Sequence, residues 1–303
     1  MILYTIKCWP DLDCRDVAMK RKANVVLCIA AIGLLVFQGF VLFIAKPKGY
    51  ELIHDGVFYV INYVIIVIFI FLRVKSPYLK WIQRMMGLIF FVSNTVFFYY
   101  IGDINLVVSK SKDRQHEIIL KEYKKMKYET AILQRRGLLF GKKTATLKGS
   151  SAYKTIEKNT YNVNWVGGDI AVVTYKTSDH GPLQQIFKSF RVYDDHTGFF
   201  YVGVSLTGKW VEQDNPQNYF IYDRGEMVYA KDGRLYYYSD REDTEQLGIY
   251  AVKINGDDKR PSFTVVLNSD SHIGSDDLIK DGGTITICPV TLEKSDYKVY
   301  SKN

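Results

Sequence analysis

Charge is absent from three long stretches of this 303-residue chain: Asn24 to Ala45, Gly56 to Leu72 and Met85 to Ile101 contain no Asp, Glu, Lys or Arg. A core helix of a soluble protein keeps a polar stripe, and these runs have none. A cleaved leader is also excluded for the first run, because its apolar region is too long and Ala45-Lys46-Pro47 offers no small-x-small site. Cysteine is scarce as well, with four residues at positions 8, 14, 28 and 288. The C-terminal half, with Cys288 alone, has no internal disulfide. Cys8 and Cys14, with no further Cys or nearby His, fall short of a four-ligand zinc site. Gly-x-Ser-x-Gly, P-loop, kinase and zinc-protease patterns are missing. No Asn-x-Ser/Thr sequon follows Ile101, which fits a bacterial or cytosolic domain.

What is present is a membrane pattern. At about 1.5 Å of rise per residue, roughly 17 to 25 apolar residues cross a hydrocarbon layer about 30 Å thick, and each run falls in that range. Three transmembrane helices over 24–101 are expected, after a polar tail over 1–23. Gln38, Asn62 and Asn94 place one uncharged amide in each span, and they are expected to form interhelical polar contacts. Three amides without an acid or base make a poor ion or proton relay. Phe97 to Tyr100 form an aromatic belt at the end of the third run, and Trp81 and Arg84 mark its other interface.

The formal charge of +8 is uneven: about +6 over 1–101, about +9 over 110–158 and about −6 over 159–303. The cations hug the spans, so the bilayer is the expected partner and nucleic acid is not. Arg15, Lys20, Arg21 and Lys22 in the tail and Arg73, Lys75, Lys80 and Arg84 in the second hinge outnumber Lys46 and Lys48 in the first. That asymmetry predicts a multi-pass plasma-membrane protein with its N-terminus cytoplasmic and its C-terminal domain outside.

From Ser111 to Arg136 no Gly or Pro intervenes, and Ile118, Ile119, Tyr123, Met126, Ile132 and Leu133 recur at roughly helical spacing. A basic amphipathic juxtamembrane helix or stalk over 102–137 is expected. Residues 111–136, or the spans, are the candidate surfaces for homo-oligomer formation. Over 138–303 the texture is β: short runs of β-branched and aromatic residues, among them Ile170 to Lys176, Phe199 to Leu206 and Thr284 to Val290. Hairpin signals lie at Asp232-Gly233 and Asn255-Gly256. The predicted fold is thus an α+β membrane protein with an all-β C-terminal domain, an antiparallel sandwich, small barrel or propeller-like.

Within that domain, Asp232-Gly233-Arg234-Leu235-Tyr236-Tyr237-Tyr238-Ser239, Gly248-Ile249-Tyr250 and Lys253-Ile254-Asn255-Gly256-Asp257 resemble one blade of the TolB-like β-propeller families. The resemblance covers Tyr219 to Arg260 and carries over no site residue. Propellers close with typically 4 to 8 blades of about 40 residues, whereas this region has length for about three or four, so a sandwich or small barrel is preferred.

Candidate sites are turn-borne. Tyr236, Tyr237 and Tyr238 place rings on both faces of a strand, and with Asp240 and Glu242 they form a candidate surface for a ligand or protein partner. Asp195, His196, Asp270, His272 and Asp276 lie in Asp/His loops that would have to converge to hold a metal. Asp, Ser and Gly are also what turns require, so neither a metal nor another cofactor is expected. Cys288, inside an apolar run, fits a buried small hydrophobe better than a nucleophile. The function expected is a membrane-anchored binding protein of immunity, secretion-accessory or sensor type, whose β domain captures a ligand or partner. The alternatives are an effector or channel with a cytosolic, ligand-sensing β domain, and a cell-surface enzyme.

Overall fold

The computed structural model describes residues 12–74, 76–191, 201–293 and 296–303, with side chains described from residue 22 onward. The chain divides into two compact units: Met1–Asn105 with Tyr123–Lys127 and Leu133–Ala145, and Leu106–Glu122 with Tyr128–Ile132 and Thr146–Asn303. The first is mainly helical, the second mainly β.

Helix α1, Leu12–Phe40, continues through a π-helical turn, Val41–Ala45, and a 3-10 turn, Lys46–Lys48. A short strand, β1 (Tyr50–Leu52), leads to α2, Gly56–Phe71, and then α3, Pro77–Phe97. Two helices are long and apolar enough to cross a membrane, Lys22–Lys48 and Pro77–Gly102. The middle apolar run forms the shorter α2, whose 16 residues extend about 24 Å. Val25, Ile29, Ile32 and Val36 on α1 and Leu88, Ile89 and Val92 on α3 are exposed, as expected of all-round apolar helices with no polar face. Helices α2 and α3 approach closely at Gly87, where an added Cβ would lie 2.7 Å from the Ile70 side chain. Small residues at a helix crossing allow that approach.

Strands begin much earlier than the sequence suggests. Residues Ile104–Lys110 (β2), Glu117–Tyr123 (β3), Ala131–Arg136 (β4) and Phe140–Thr146 (β5) join β1 in a five-stranded sheet of order β1-β5-β4-β3-β2. The expected amphipathic helix over 111–136 is therefore corrected to strands, and no helical stalk occupies 102–137. The turns that break it need no Gly or Pro. Arg114 adopts φ 59°, and Asp113 Oδ1 accepts hydrogen bonds from Ser111 Oγ and Gln115 N, the latter at 3.1 Å.

In the β unit, Tyr161–Val166 (β6), Ile170–Tyr175 (β7) and Gln184–Ser189 (β8) form a three-stranded antiparallel sheet. After the helical turn α4, Val202–Ser205, come Gly208–Glu212 (β9), Tyr219–Asp223 (β10), Glu226–Lys231 (β11) and Arg234–Ser239 (β12). A second helical turn, α5 (Asp240–Asp243), precedes Thr244–Gln246 (β13), Ala251–Ile254 (β14), Phe263–Leu267 (β15), Thr284–Pro289 (β16) and Lys298–Lys302 (β17). These strands make one nine-stranded sheet of order β12-β11-β10-β9-β17-β16-β15-β14-β13. Its edge strands are consecutive in sequence, joined by α5, and the sheet is nearly a barrel.

Period-two alternation fills the barrel interior from almost every strand. Trp210, Phe220, Tyr222, Met227, Tyr229, Tyr238, Phe263, Ile285 and Tyr300 belong to one buried cluster, in which Phe263 meets Tyr229 at 4.4 Å and Phe220 and Tyr238 edge-on. The outer side of β14–β16 buries Ala251, Val266 and Cys288 against Val166, Ile170 and Val172 of the β6–β8 sheet. The opposite face of that sheet packs on Ile118, Leu120 and Ile132. Strand β7 is consequently buried throughout.

The stretch that resembles a propeller blade is not one. Strands β10–β12 lie at one end of the nine-stranded sheet and β13–β14 at the other. Asp232-Gly233 does form a two-residue hairpin, with φ of 51° and 77°, as a type I′ turn requires. Asn255-Gly256 instead opens an eight-residue connection between β14 and β15. Of the expected strand Phe199 to Leu206, the first two residues lie outside the described residues and the rest form α4 with its caps Tyr201 and Leu206.

Candidate functional site

At one end of the curled sheet, the β9–β10 and β11–β12 turns meet the ends of β16 and β17 around a cavity of about 480 Å³. Barrel mouths are a common place for ligand sites, because interior side chains stop short there and loops supply polar groups. Glu212 ends β9 and is 4 % exposed. Its Oε2 accepts hydrogen bonds from Asn218 Nδ2 at 2.8 Å and from Tyr300 Oη at 3.3 Å, while Lys298 Nζ stands 3.9 Å from Oε1. Asp214 pairs with the same lysine at 3.1 Å, and that contact holds the Lys298 ammonium above its ordinary range. Asp232 and Asp296 complete a lining of four carboxylates against two ammonium groups, Lys231 and Lys298. At the cavity base, burial pushes the Tyr229 hydroxyl up to about 12 and raises Tyr300 further, so both stay neutral donors at physiological pH. A polar, acid-rich cup over an aromatic floor suits a small ligand that carries an amine and hydroxyl groups.

None of these residues was a sequence candidate. Asp214-Asn215-Pro216 is legible only as a turn, and Tyr297 to Tyr300 only as a strand. Their convergence comes from the antiparallel pairing of β17 with β9, which sets Tyr300 opposite Glu212.

The expected partner surface is split. Tyr237 is 63 % exposed on the outer face of β12, whereas Tyr238 is buried and Tyr236 packs on the interior cluster. Tyr238 Oη donates to Pro261 O at 2.7 Å, and the Arg260 guanidinium sits 5.0 Å from its ring. The same Arg260 pairs with Asp243 at 3.0 Å and Asp257 at 2.9 Å. Asp240 accepts from Tyr201 Oη at 3.2 Å, anchoring α5, and Glu242 is exposed.

Asp195 and His196 lie outside the described residues. Asp270 accepts from the backbone and hydroxyl of Thr284 at 3.1 and 2.8 Å, and Asp276 from Leu278 N at 3.2 Å. Among the described residues no three His, Cys, Asp or Glu side chains are arranged to hold a metal. Cys288 is buried, and burial raises its thiol.

In the helical unit the three amides form a chain. Gln38 Nε2 donates to Asn62 Oδ1 at 2.7 Å, Asn62 Nδ2 to Asn94 Oδ1 at 2.8 Å, and Asn94 Nδ2 to Tyr59 O at 3.1 Å. A fourth amide, Gln83, missed in the sequence because it sits in the first turns of α3 beside Arg84, does similar work. Gln83 Nε2 donates to Leu72 O at 2.9 Å and to Phe69 O, satisfying carbonyls at the end of α2. The amide chain borders a cavity of about 550 Å³ whose other lining residues are apolar except for Tyr59 and Ser93. Comparison with protein-family models, curated proteins and solved structures finds no match to this chain.

Proposed function

We propose that this is a membrane-anchored binding protein whose β unit captures a small, amine-bearing polar ligand in the barrel mouth. The observation that carries the reading is Glu212, a buried carboxylate at the base of an acid-rich cavity. An incoming ammonium group would take the place of Lys298 between Glu212 and Asp214, exchanging one charge-assisted contact for another. Anchoring by three spans is part of the proposal. Helix α2 shares the amide chain with α1 and α3, so if those two cross a bilayer, α2 lies at bilayer depth with its neighbours. Calorimetric titration of the full chain in nanodiscs with spermidine and with glucose tests the site. Spermidine binding that Glu212→Gln abolishes supports it; binding unchanged by Glu212→Gln, or no binding of either probe, counts against it.

The Lys/Arg asymmetry of tail and second hinge supports a β unit outside the cell. A second reading, a cytosolic β unit in a ligand-controlled membrane effector, is favoured by four more cations held at the first hinge. Lys142 pairs with Tyr50, and Lys143 N donates to Gly49 O at 2.8 Å, with Arg135 and Arg136 on the adjoining strand. Protease added to intact cells distinguishes them: loss of a C-terminal tag supports the first, and its survival until permeabilisation the second.

A further inference from the structure

Strands β4 and β5 form a hairpin whose tip, Gly137-Leu138-Leu139, carries its apolar side chains outward, Leu138 being 86 % exposed. An exposed leucine pair at a tight turn is out of place in water. The surroundings say where it belongs. Strand β5 pairs with β1, and Ile53 N donates to Leu139 O at 2.9 Å, tying the tip to the hinge between α1 and α2. Phe140 lies 6.5 Å from Phe37 and 6.3 Å from Phe40, so the hairpin rests on the last apolar turns of α1. Arg135, Arg136, Lys142 and Lys143 flank the tip, all exposed, and Lys46 and Lys48 stand exposed at the hinge.

We propose that this hairpin is an interfacial anchor, with Leu138 and Leu139 entering the acyl boundary and the surrounding cations binding the phosphate-bearing headgroups of anionic phospholipids. An apolar tip ringed by Lys and Arg, fixed at the level where an apolar helix ends, matches the two contributions to interfacial binding: buried apolar area and attraction to anionic lipid. The inference rests on α1 being a membrane span, and the test separates the two.

Full-length protein with Cys8, Cys14 and Cys28 replaced by serine leaves only Cys288, which is buried. Leu138→Cys in that background, labelled with an environment-sensitive fluorophore, is reconstituted in vesicles of phosphatidylcholine with or without phosphatidylglycerol. Brominated acyl chains serve as the quencher. A companion protein keeps Cys28, which is exposed on α1, as its labelled site. The expected result is quenching at both sites. At position 138 it should rise with phosphatidylglycerol, and the insertion equilibrium should fall about fivefold for each charge removed in Arg136→Gln, Lys142→Gln and Lys143→Gln. Quenching at Cys28 with none at position 138, or quenching there indifferent to phosphatidylglycerol, overturns the anchor while leaving the span intact. Absence of quenching at Cys28 overturns the span, and the anchor with it.

Discussion

The two units are built inside out relative to each other. In the helical unit the polar side chains are interior: Gln38 is 7 % exposed and Asn94 6 %, hydrogen-bonded across helices, while Val36, Phe43 and Phe71 face outward. In the β unit Trp210, Phe220 and Phe263 are interior, and the turns carry Asp, Lys and Arg outside. The same rule acts in both, since a buried polar group needs a partner and an exposed apolar group needs an apolar surrounding. What differs is the side of each unit on which the apolar residues lie.

Alkali should break the β side of this contrast most completely. Burial raises the hydroxyls of Tyr175 and Tyr229 to about 12, and those of Tyr222, Tyr238, Tyr297 and Tyr300 upward as well. A folded-state value above the unfolded value of about 10 means the unfolded chain releases its proton first. Stability from these groups is full below pH 10 and is lost as pH rises from about 10 through 12. Circular dichroism should show the β signal collapsing over that window while the helical signal persists; simultaneous loss of both would show that the units do not differ in this way.

Trp210→Ala should come next, costing about 3–5 kcal/mol through the cavity left in the barrel interior. Its indole is fully buried and donates to Leu206 O at 2.7 Å. Denaturant titration monitored by fluorescence of the β unit measures the loss. Asn62→Leu is the counterpart in the helical unit, expected to cost about 1–2 kcal/mol because it strips partners from both Gln38 and Asn94. Replacing all three amides by Leu should cost less than the sum of the single changes, since no orphaned amide remains. A double-mutant cycle with additive energies would remove the chain from the account. Smallest of all, Tyr237→Ala on the exposed face of β12 should shift stability by no more than about 0.5 kcal/mol. A larger drop in thermal midpoint would mean that this ring packs against the folded chain.

The placement of Gln38 and Asn62 was legible because they stand at similar distances either side of the first hinge, so antiparallel helices bring them level. The Asp232-Gly233 hairpin was legible because both residues tolerate positive φ. Its neighbour Arg224-Gly225 takes the same left-handed pair, φ 48° and 86°, and was not, since arginine is no turn signal. The stretch 111–136 misled for a related reason. Strand β3 is buried on both faces, even at Lys121 and Glu122, so Ile118, Ile119 and Leu120 show no alternation. Glu122 is held at its Oε1, which accepts from Thr130 Oγ1 at 2.9 Å and, from 33 positions further along the chain, Thr155 N at 2.7 Å, while its Oε2 is buried with no hydrogen-bond partner among the described residues.

By itself, then, the sequence determined where long apolar helices form, that Gln38, Asn62 and Asn94 lie within the apolar runs, and that the C-terminal half is β, because these follow from runs, periods and turn residues within a few positions of one another. Only the tertiary structure decided that 104–136 forms three strands, that β17 pairs with β9 within a curled nine-stranded sheet whose edges are β12 and β13, and that Glu212, Lys298 and Tyr300 share one cavity. Strand partners and cavity walls are chosen by burial summed over residues far apart in the chain, and no local pattern carries that sum.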